Sequence, residues 1–82
     1  MNTVFFLLAE YSTGDIPLSK VAQKYFGHEE KQMQSWARLN KYPFPIYRGG
    51  SQRSQWLVNI TDLASYIDKQ REEAAKQYQA LA

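Results

Sequence analysis

The sequence contains no cysteine and a single histidine, His28. Without cysteine the chain can form neither a disulfide framework nor a thiolate metal site, and one histidine cannot build a metal cage alone. We therefore expect no metal and no cofactor, and we expect His28 to cap a helix or contact solvent. With 82 residues the chain forms one domain, whose core must come from apolar packing.

Long hydrophobic runs are also lacking. The longest, residues 4–9, is too short to span a bilayer and lacks the basic region and cleavage site of a signal peptide. We expect a cytoplasmic protein that does not contact a membrane. The sequence also offers no paired nucleophile and base, no phosphate-cradling glycine loop and no metal-ligand spacing, which argues against an enzyme.

Acidic residues are scarce in the middle of the chain. Residues 20–53 hold seven bases and two acids, a net charge of +5, whereas residues 1–19 carry −2 and residues 54–82 carry −1. A basic stretch between mildly acidic ends is the electrostatic footprint of a nucleic-acid-binding face, because phosphates dominate affinity. A solvated surface remains the alternative explanation.

Apolar spacing predicts two helices in the first third of the chain. Asn2 or Thr3 can cap the first helix. Its predicted inward face is formed by Val4, Leu7, Leu8 and Tyr11 and is widened by Phe5 and Phe6. A strand is the competing interpretation of so apolar a run. The second helix is predicted to start at Pro17 and end at Gly27, with its apolar face formed by Leu18, Val21, Ala22, Tyr25 and Phe26.

A third helix is predicted to begin near Glu29 and Glu30 and to end at Pro43 and Pro45. The short turn before it makes a helix-turn-helix. Its spacing predicts an inward face of Met33, Trp36, Ala37 and Asn40 and an outward face of Lys31, Ser35 and Arg38 with Gln34 beside them.

The last third predicts a β-hairpin and a long helix. Residues 46–48 and 55–58 are β-prone and flank a glycine-containing turn. Thr61 is expected to cap the last helix, with Leu63, Ala64 and Ile67 facing inward. Ala74, Tyr78 and Leu81 continue this stripe through two charged pairs spaced four residues apart, Lys69/Glu73 and Glu72/Lys76. We expect this tail to project beyond the domain.

The predicted fold is mainly α with a small β-hairpin. It is a winged helix-turn-helix, residues 1–82, preceded by an N-terminal helix and followed by a long C-terminal one. The helix-turn-helix covers residues 16–41, the wing 45–58 and the last helix 61–81. This order resembles the winged helices of excisionase- and MerR-like DNA-binding domains.

The resemblance narrows to one family. The segments that resemble the pyocin activator PrtN family are MNTVFFLLAE (1–10), IPL (16–18), VA (21–22), KYFG (24–27), PFPIYR (43–48), GSQ (50–52), WLV (56–58), DLA (62–64) and YID (66–68). The resemblance implies a bacterial, nucleoid-associated activator of bacteriocin or phage-derived genes that binds DNA upstream of them. Residues 28–42 depart most from the family pattern, so the DNA sequence that is bound can differ from that of relatives.

Polar and basic side chains on the third helix and in the wing are the candidate DNA contacts. Those of the recognition helix are Lys31, Gln32, Gln34, Ser35, Arg38 and Lys41; those of the wing are Arg48, Gly50, Ser51, Gln52 and Arg53. A solvated helix face and an ordinary exposed turn are the alternatives. Trp36 and Trp56 are expected in the core rather than stacked on bases.

The predicted partners are double-stranded promoter DNA, RNA polymerase and a second copy of the chain. Candidate dimer contacts are Ile67, Ala74, Tyr78 and Leu81; a frayed tail is the alternative. Two other functions stay open, an excisionase-like architectural factor that bends its site and a small adapter that binds an acidic protein surface.

Overall fold

A computed structural model describes residues 2–51 and 53–81. The helices are α1 (Thr3–Tyr11), α2 (Leu18–Val21, continued by the π-helical stretch Ala22–Phe26), α3 (Glu30–Arg38) and α4 (Ile60–Leu81). The strands are β1 (Asp15–Pro17), β2 (Tyr47–Arg48) and β3 (Trp56–Asn59), in the antiparallel order β1-β3-β2. The predicted fold class, mainly α with a winged-helix-like arrangement, is confirmed.

Strand β1 is an addition to the predicted hairpin. Ile16 lies opposite Val58 in the register, and both side chains are fully buried. Pro17, which was expected as the first helical residue, instead ends this strand with an extended ψ of 128° and directly precedes α2. Proline lacks an N–H, so this edge position leaves no ladder donor unused.

Helix α1 is confirmed as a helix, and the strand interpretation is wrong. Asn2 caps it, because its side chain accepts a hydrogen bond from the backbone N–H of Phe5 at 3.1 Å. The predicted inward face was too wide. Leu7 is buried against the core, but Phe5, Phe6 and Leu8 are exposed, since α1 lies at the edge of the domain and packs mainly on α4.

Helix α3 ends earlier than its prolines predict. The chain leaves the helix at Asn40, which has a positive φ of 54°, and the N–H of Lys41 bonds the carbonyl of Trp36 at 3.0 Å. A left-handed residue with such a bond is a normal helix stop. Asn40 is therefore exposed beyond the helix rather than on its inward face, and Pro43 and Pro45 lie in the following loop.

Helix α4 is capped by Asn59 and not by Thr61 as predicted. The Asn59 side-chain oxygen accepts a hydrogen bond from the backbone N–H of Thr61 at 2.9 Å. The predicted cap was wrong because the helix starts two residues earlier than its apolar stripe indicates. Leu63 and Ala64 are buried, and all side chains from Asp68 to Leu81 are exposed. Of the two predicted charged pairs, Glu72 and Lys76 form an ion pair at 3.6 Å.

The core lies where the sheet, α2 and α4 meet. Its largest fully buried side chains are Ile16, Leu18, Val21, Val58 and Leu63. A second layer consists of aromatic rings from the end of α2, the α3 region and α4, namely Phe26, Trp36, Tyr42, Phe44 and Tyr66. Among the described residues, no helix combines the length and the apolar character needed to cross a membrane.

Candidate nucleic-acid interface

Helices α2 and α3 form the predicted helix-turn-helix. Gly27 ends the first helix with a positive φ of 67°, a conformation that costs glycine little, and α3 begins three residues later at Glu30. Leu18 and Val21 anchor α2 in the core, while Met33 and Ala37 anchor α3. Both helices are thus fixed by their inward faces, which sets the direction of their outward faces.

The outward face of α3 is the one predicted from the spacing. Lys31, Ser35 and Arg38 are exposed, as is Gln32, whereas Gln34 is half-buried. The Gln34 amide donates to the Glu30 carboxylate at 3.0 Å. Arg38 donates from Nε to the carbonyl of Gln34 at 3.4 Å. This bond uses neither terminal nitrogen of the guanidinium, and the residue is exposed, so those nitrogens remain able to donate to a partner.

Two carboxylates stand at the N-terminal end of α3. Glu29 is the residue before the helix and Glu30 its first residue, and both are exposed. They favour the helix through its dipole. They also repel phosphate from that end and oppose the charge of Lys31 in the same turn, so the net positive charge of α3 lies at its C-terminal end, at Arg38.

His28 was predicted to cap a helix or contact solvent, and both predictions are wrong: Glu29 holds the cap position of α3, and His28 is 8% exposed. Its Nδ1 and the Tyr42 hydroxyl share a hydrogen bond of 2.9 Å, and its ring centroid lies 4.5 Å from that of Trp36. His28 precedes α3 and Tyr42 follows it, so this bond links the two ends of α3. Burial also raises the pKa of the Tyr42 hydroxyl, since ionisation is unfavourable there.

Lys41 lies beyond the end of α3 rather than on it. Its Nζ is 5.9 Å from the centroid of the Trp36 ring, within the range of a cation–π contact, and the residue is exposed. Trp36 itself is half-buried and packs against the core, as expected. Lys41 therefore extends the cationic end of α3 by one exposed charge.

The wing is the connection between β2 and β3. Arg48 stacks on Trp56, with its guanidinium carbon 4.1 Å from the ring centroid. Both residues are half-buried, so Arg48 covers Trp56 at the base of the wing. Trp56 packs against the core, as expected.

At the tip of the wing, Gly50, Ser51 and Arg53 are exposed. Gly50 has a φ of 139°, a conformation that side-chain-bearing residues rarely adopt. The backbone N–H of Arg53 donates to the Ser51 hydroxyl at 3.3 Å. Gln52, the remaining predicted wing contact, lies outside the described residues.

A tether fixes the wing to the other edge of the sheet. The Tyr47 hydroxyl on β2 donates a hydrogen bond to the Asp15 carboxylate on β1, across β3. The carboxylate raises the pKa of Tyr47 through this bond. The base of the wing is thereby joined to the strand that precedes the helix-turn-helix.

The lysines of α2 differ in their availability. Lys24 donates to the Glu10 carboxylate of α1 at 2.6 Å; this bond raises the pKa of Lys24 and lowers that of Glu10. Lys20 is exposed and was not among the predicted contacts, although it belongs to the basic middle stretch. It adds a candidate phosphate contact on α2.

The chain matches the family described as pyocin activator protein PrtN over residues 3–74. It belongs to that family. No curated protein and no solved structure matches it significantly. The family is one of regulators of pyocin genes. The match begins with α1 and ends within α4, before Tyr78.

Proposed function

We propose that this PrtN-family protein binds double-stranded DNA sequence-specifically upstream of pyocin-like or phage-derived genes and activates their transcription. The observation that carries the proposal is the exposed face of α3 with Lys31, Ser35 and Arg38, presented by a helix-turn-helix. The family supports a regulatory role, and the basic middle stretch supports a nucleic-acid partner.

In this proposal α3 enters the major groove, which admits a helix and displays a distinct donor and acceptor pattern for each base pair. Arg38 would donate to guanine O6 and N7 with its terminal nitrogens. Gln32 would pair with an adenine edge, and Ser35 with either kind of base. Gln34 would first have to exchange its hydrogen bond to Glu30.

The wing would contact the backbone rather than the bases. Arg53 and Ser51 are exposed at its tip, and Gly50 lets the peptide backbone approach closely. Lys41 would reach a phosphate from the C-terminal end of α3. Such contacts fix the position of the protein on the duplex but carry no sequence information.

The test is a fluorescence-anisotropy titration of the whole protein with duplexes from upstream regions of neighbouring phage-like genes, and with scrambled duplexes, at about 50 and 200 mM salt. Arg38→Ala should weaken binding to the selected site by about 1–3 kcal/mol, with little change in thermal stability. Arg53→Ala should weaken binding to all duplexes alike.

A matched control removes a charge from outside the interface. Lys76 is exposed on the projecting part of α4, so Lys76→Ala should leave the selective component of binding unchanged. If Arg38→Ala and Arg53→Ala both bound the selected site as tightly as the parent protein, these faces would not be the interface. Equal weak binding to selected and scrambled duplexes would instead favour a protein-binding adapter, and clustered binding with bending would favour an architectural factor.

Activation requires a second assay, since binding alone does not distinguish an activator from a repressor. In vitro transcription from a selected promoter with bacterial RNA polymerase should rise when the protein is added. The same promoter with a scrambled upstream element should not respond.

A further inference from the structure

Helix α1 is apolar on its outward side as well as on the side that packs against the domain. Leu7 faces the core at 3% exposure, while Phe5, Phe6 and Leu8 are 63%, 56% and 48% exposed. At about 100° per residue, these three side chains and Ala9 occupy the whole outward arc of the helix. A helix with apolar side chains on both of these sides is normally buried on both.

No charged side chain interrupts this outward face. Glu10 is the single charged residue of α1, and it lies beside the packed face, where it binds Lys24 of α2 at 2.6 Å. The exposed rings of Phe5 and Phe6 are in edge-to-face contact, with centroids 6.0 Å apart. We call Phe5, Phe6, Leu8 and Ala9 the α1 outer face.

Helix α4 carries a second apolar surface without a partner in this chain. Ile60, Ile67, Ala74 and Leu81 recur every seven residues, so they lie along one side of the helix. Ile60 and Ile67 pack against the domain's own core. Ala74 and Leu81 are exposed, as is Tyr78 beside them. We call these last three residues the α4 tail stripe.

A groove lies between the two helices that carry these surfaces. A groove of about 170 Å³ between α1 and α4 is lined by Phe6, Ile67 and Arg71, among others. Phe6 belongs to the α1 outer face, and Arg71 lies one helical turn before Ala74 of the α4 tail stripe. The two apolar surfaces are therefore neighbours on the same side of the molecule, with Arg71 between them.

The geometry points to a second copy of this chain as the occupant: the α1 outer face of each copy receives the α4 tail stripe of the other. Such an exchange is isologous: one two-fold axis relates the two copies, and the contacts that it generates cover all four surfaces. Pairing of the two tails alone would leave both α1 outer faces in water.

Length and area agree with this arrangement. Helix α1 has nine residues and is about 13.5 Å long, and the eight residues 74–81 span about 12 Å. Phe5, Phe6 and Tyr78 are 63%, 56% and 76% exposed. Because an aromatic side chain carries roughly 200 Å², these three supply about 400 Å² per copy before Leu8 and Leu81 are counted. Stable interfaces bury about 600 to 1,000 Å² per partner, so these three side chains supply roughly two thirds of the lower figure.

The first test is sedimentation equilibrium of the full chain. The parent should be a dimer. Phe5→Glu and Tyr78→Glu should each raise the dimer dissociation constant at least about tenfold, because each buries a charge in the interface. The control is Leu39→Glu, which changes a side chain of similar exposure, 61%, outside both surfaces. Circular dichroism and thermal unfolding verify that each variant folds.

The second test uses the absence of cysteine from the chain. A mixture of Phe5→Cys and Tyr78→Cys proteins should form mixed disulfide dimers under mild oxidation. Each variant alone should form few disulfide-linked dimers. A monomeric parent, or Tyr78→Cys dimers forming as readily as mixed ones, would overturn the proposal. This inference does not depend on DNA binding, so each proposal can fail while the other holds.

Discussion

The hydrogen bond between His28 and Tyr42 should be a main determinant of the position of α3. Its length is 2.9 Å, and the two residues are 8% and 5% exposed. Tyr42→Phe keeps the ring in contact with Phe26 and Phe44 but removes the hydroxyl. The substitution leaves His28 Nδ1 buried without this partner, and solvent cannot readily replace it.

Leaving a buried polar group unsatisfied costs about 1–3 kcal/mol. In a domain of this size, each kcal/mol lowers the melting temperature by roughly 4–8 °C. We therefore expect Tyr42→Phe to melt at least about 4 °C below the parent. Circular dichroism during heating measures this directly, and urea titration gives the free energy of unfolding independently.

Tyr47→Phe is the matched control. It also removes a tyrosine hydroxyl that binds another side chain, Asp15, but Tyr47 is 40% exposed, so water can replace the lost bond. A loss in Tyr42→Phe no larger than the loss in Tyr47→Phe would refute the reasoning. A double-mutant cycle of Tyr42→Phe with His28→Leu should show that the two losses are not additive.

Two further predictions concern the helix cap and alkaline pH. Asn59→Ala should lower the free energy of unfolding by about 0.5–2 kcal/mol, because it removes the cap of α4. Urea titration measures this loss, with Ser65→Ala at an exposed site on the same helix as the control. Equal losses in the two variants would contradict the prediction. Burial raises the pKa of Tyr11 and Tyr42 in the folded chain above the ordinary value of 10.0, and the Asp15 hydrogen bond does so for Tyr47. Their contribution to stability is therefore full below pH 10 and is lost as the pH rises through the folded pKa values. Urea midpoints should be lower at pH 11 than at pH 8, and an unchanged midpoint would show that these groups titrate alike in both states.

Local patterns predicted most of the helical structure. The spacing of Met33 and Ala37 defines the inward face of α3, and the opposite face follows from helix geometry alone. Gly27 marks the end of α2 because a left-handed backbone favours glycine. The exposure of Lys31, Ser35 and Arg38 was predictable for the same reason, whereas their contact with DNA stays a prediction.

The errors occurred where distant parts of the chain decide the structure. Strand β1 has three residues, too few for a readable pattern, and exists because Ile16 pairs with Val58 more than forty positions away. His28 is buried because the loop after α3 brings Tyr42 back to it. Phe26, Trp36 and Phe44 near these residues could have indicated an aromatic cluster, but not which polar atom lies inside it.

The first helix shows a different limit of a sequence pattern. The run from Val4 to Ala9 correctly indicates apolar surface that must leave water, and it led to the prediction of a wide inward face. A hydrophobic pattern does not specify which molecule covers that surface. In this fold α4 covers one side of α1 with a few turns and then continues past it with the α4 tail stripe exposed. Since the same chain carries both an uncovered helix face and a projecting helix of matching length, the second copy is the partner that leaves the least apolar surface in water.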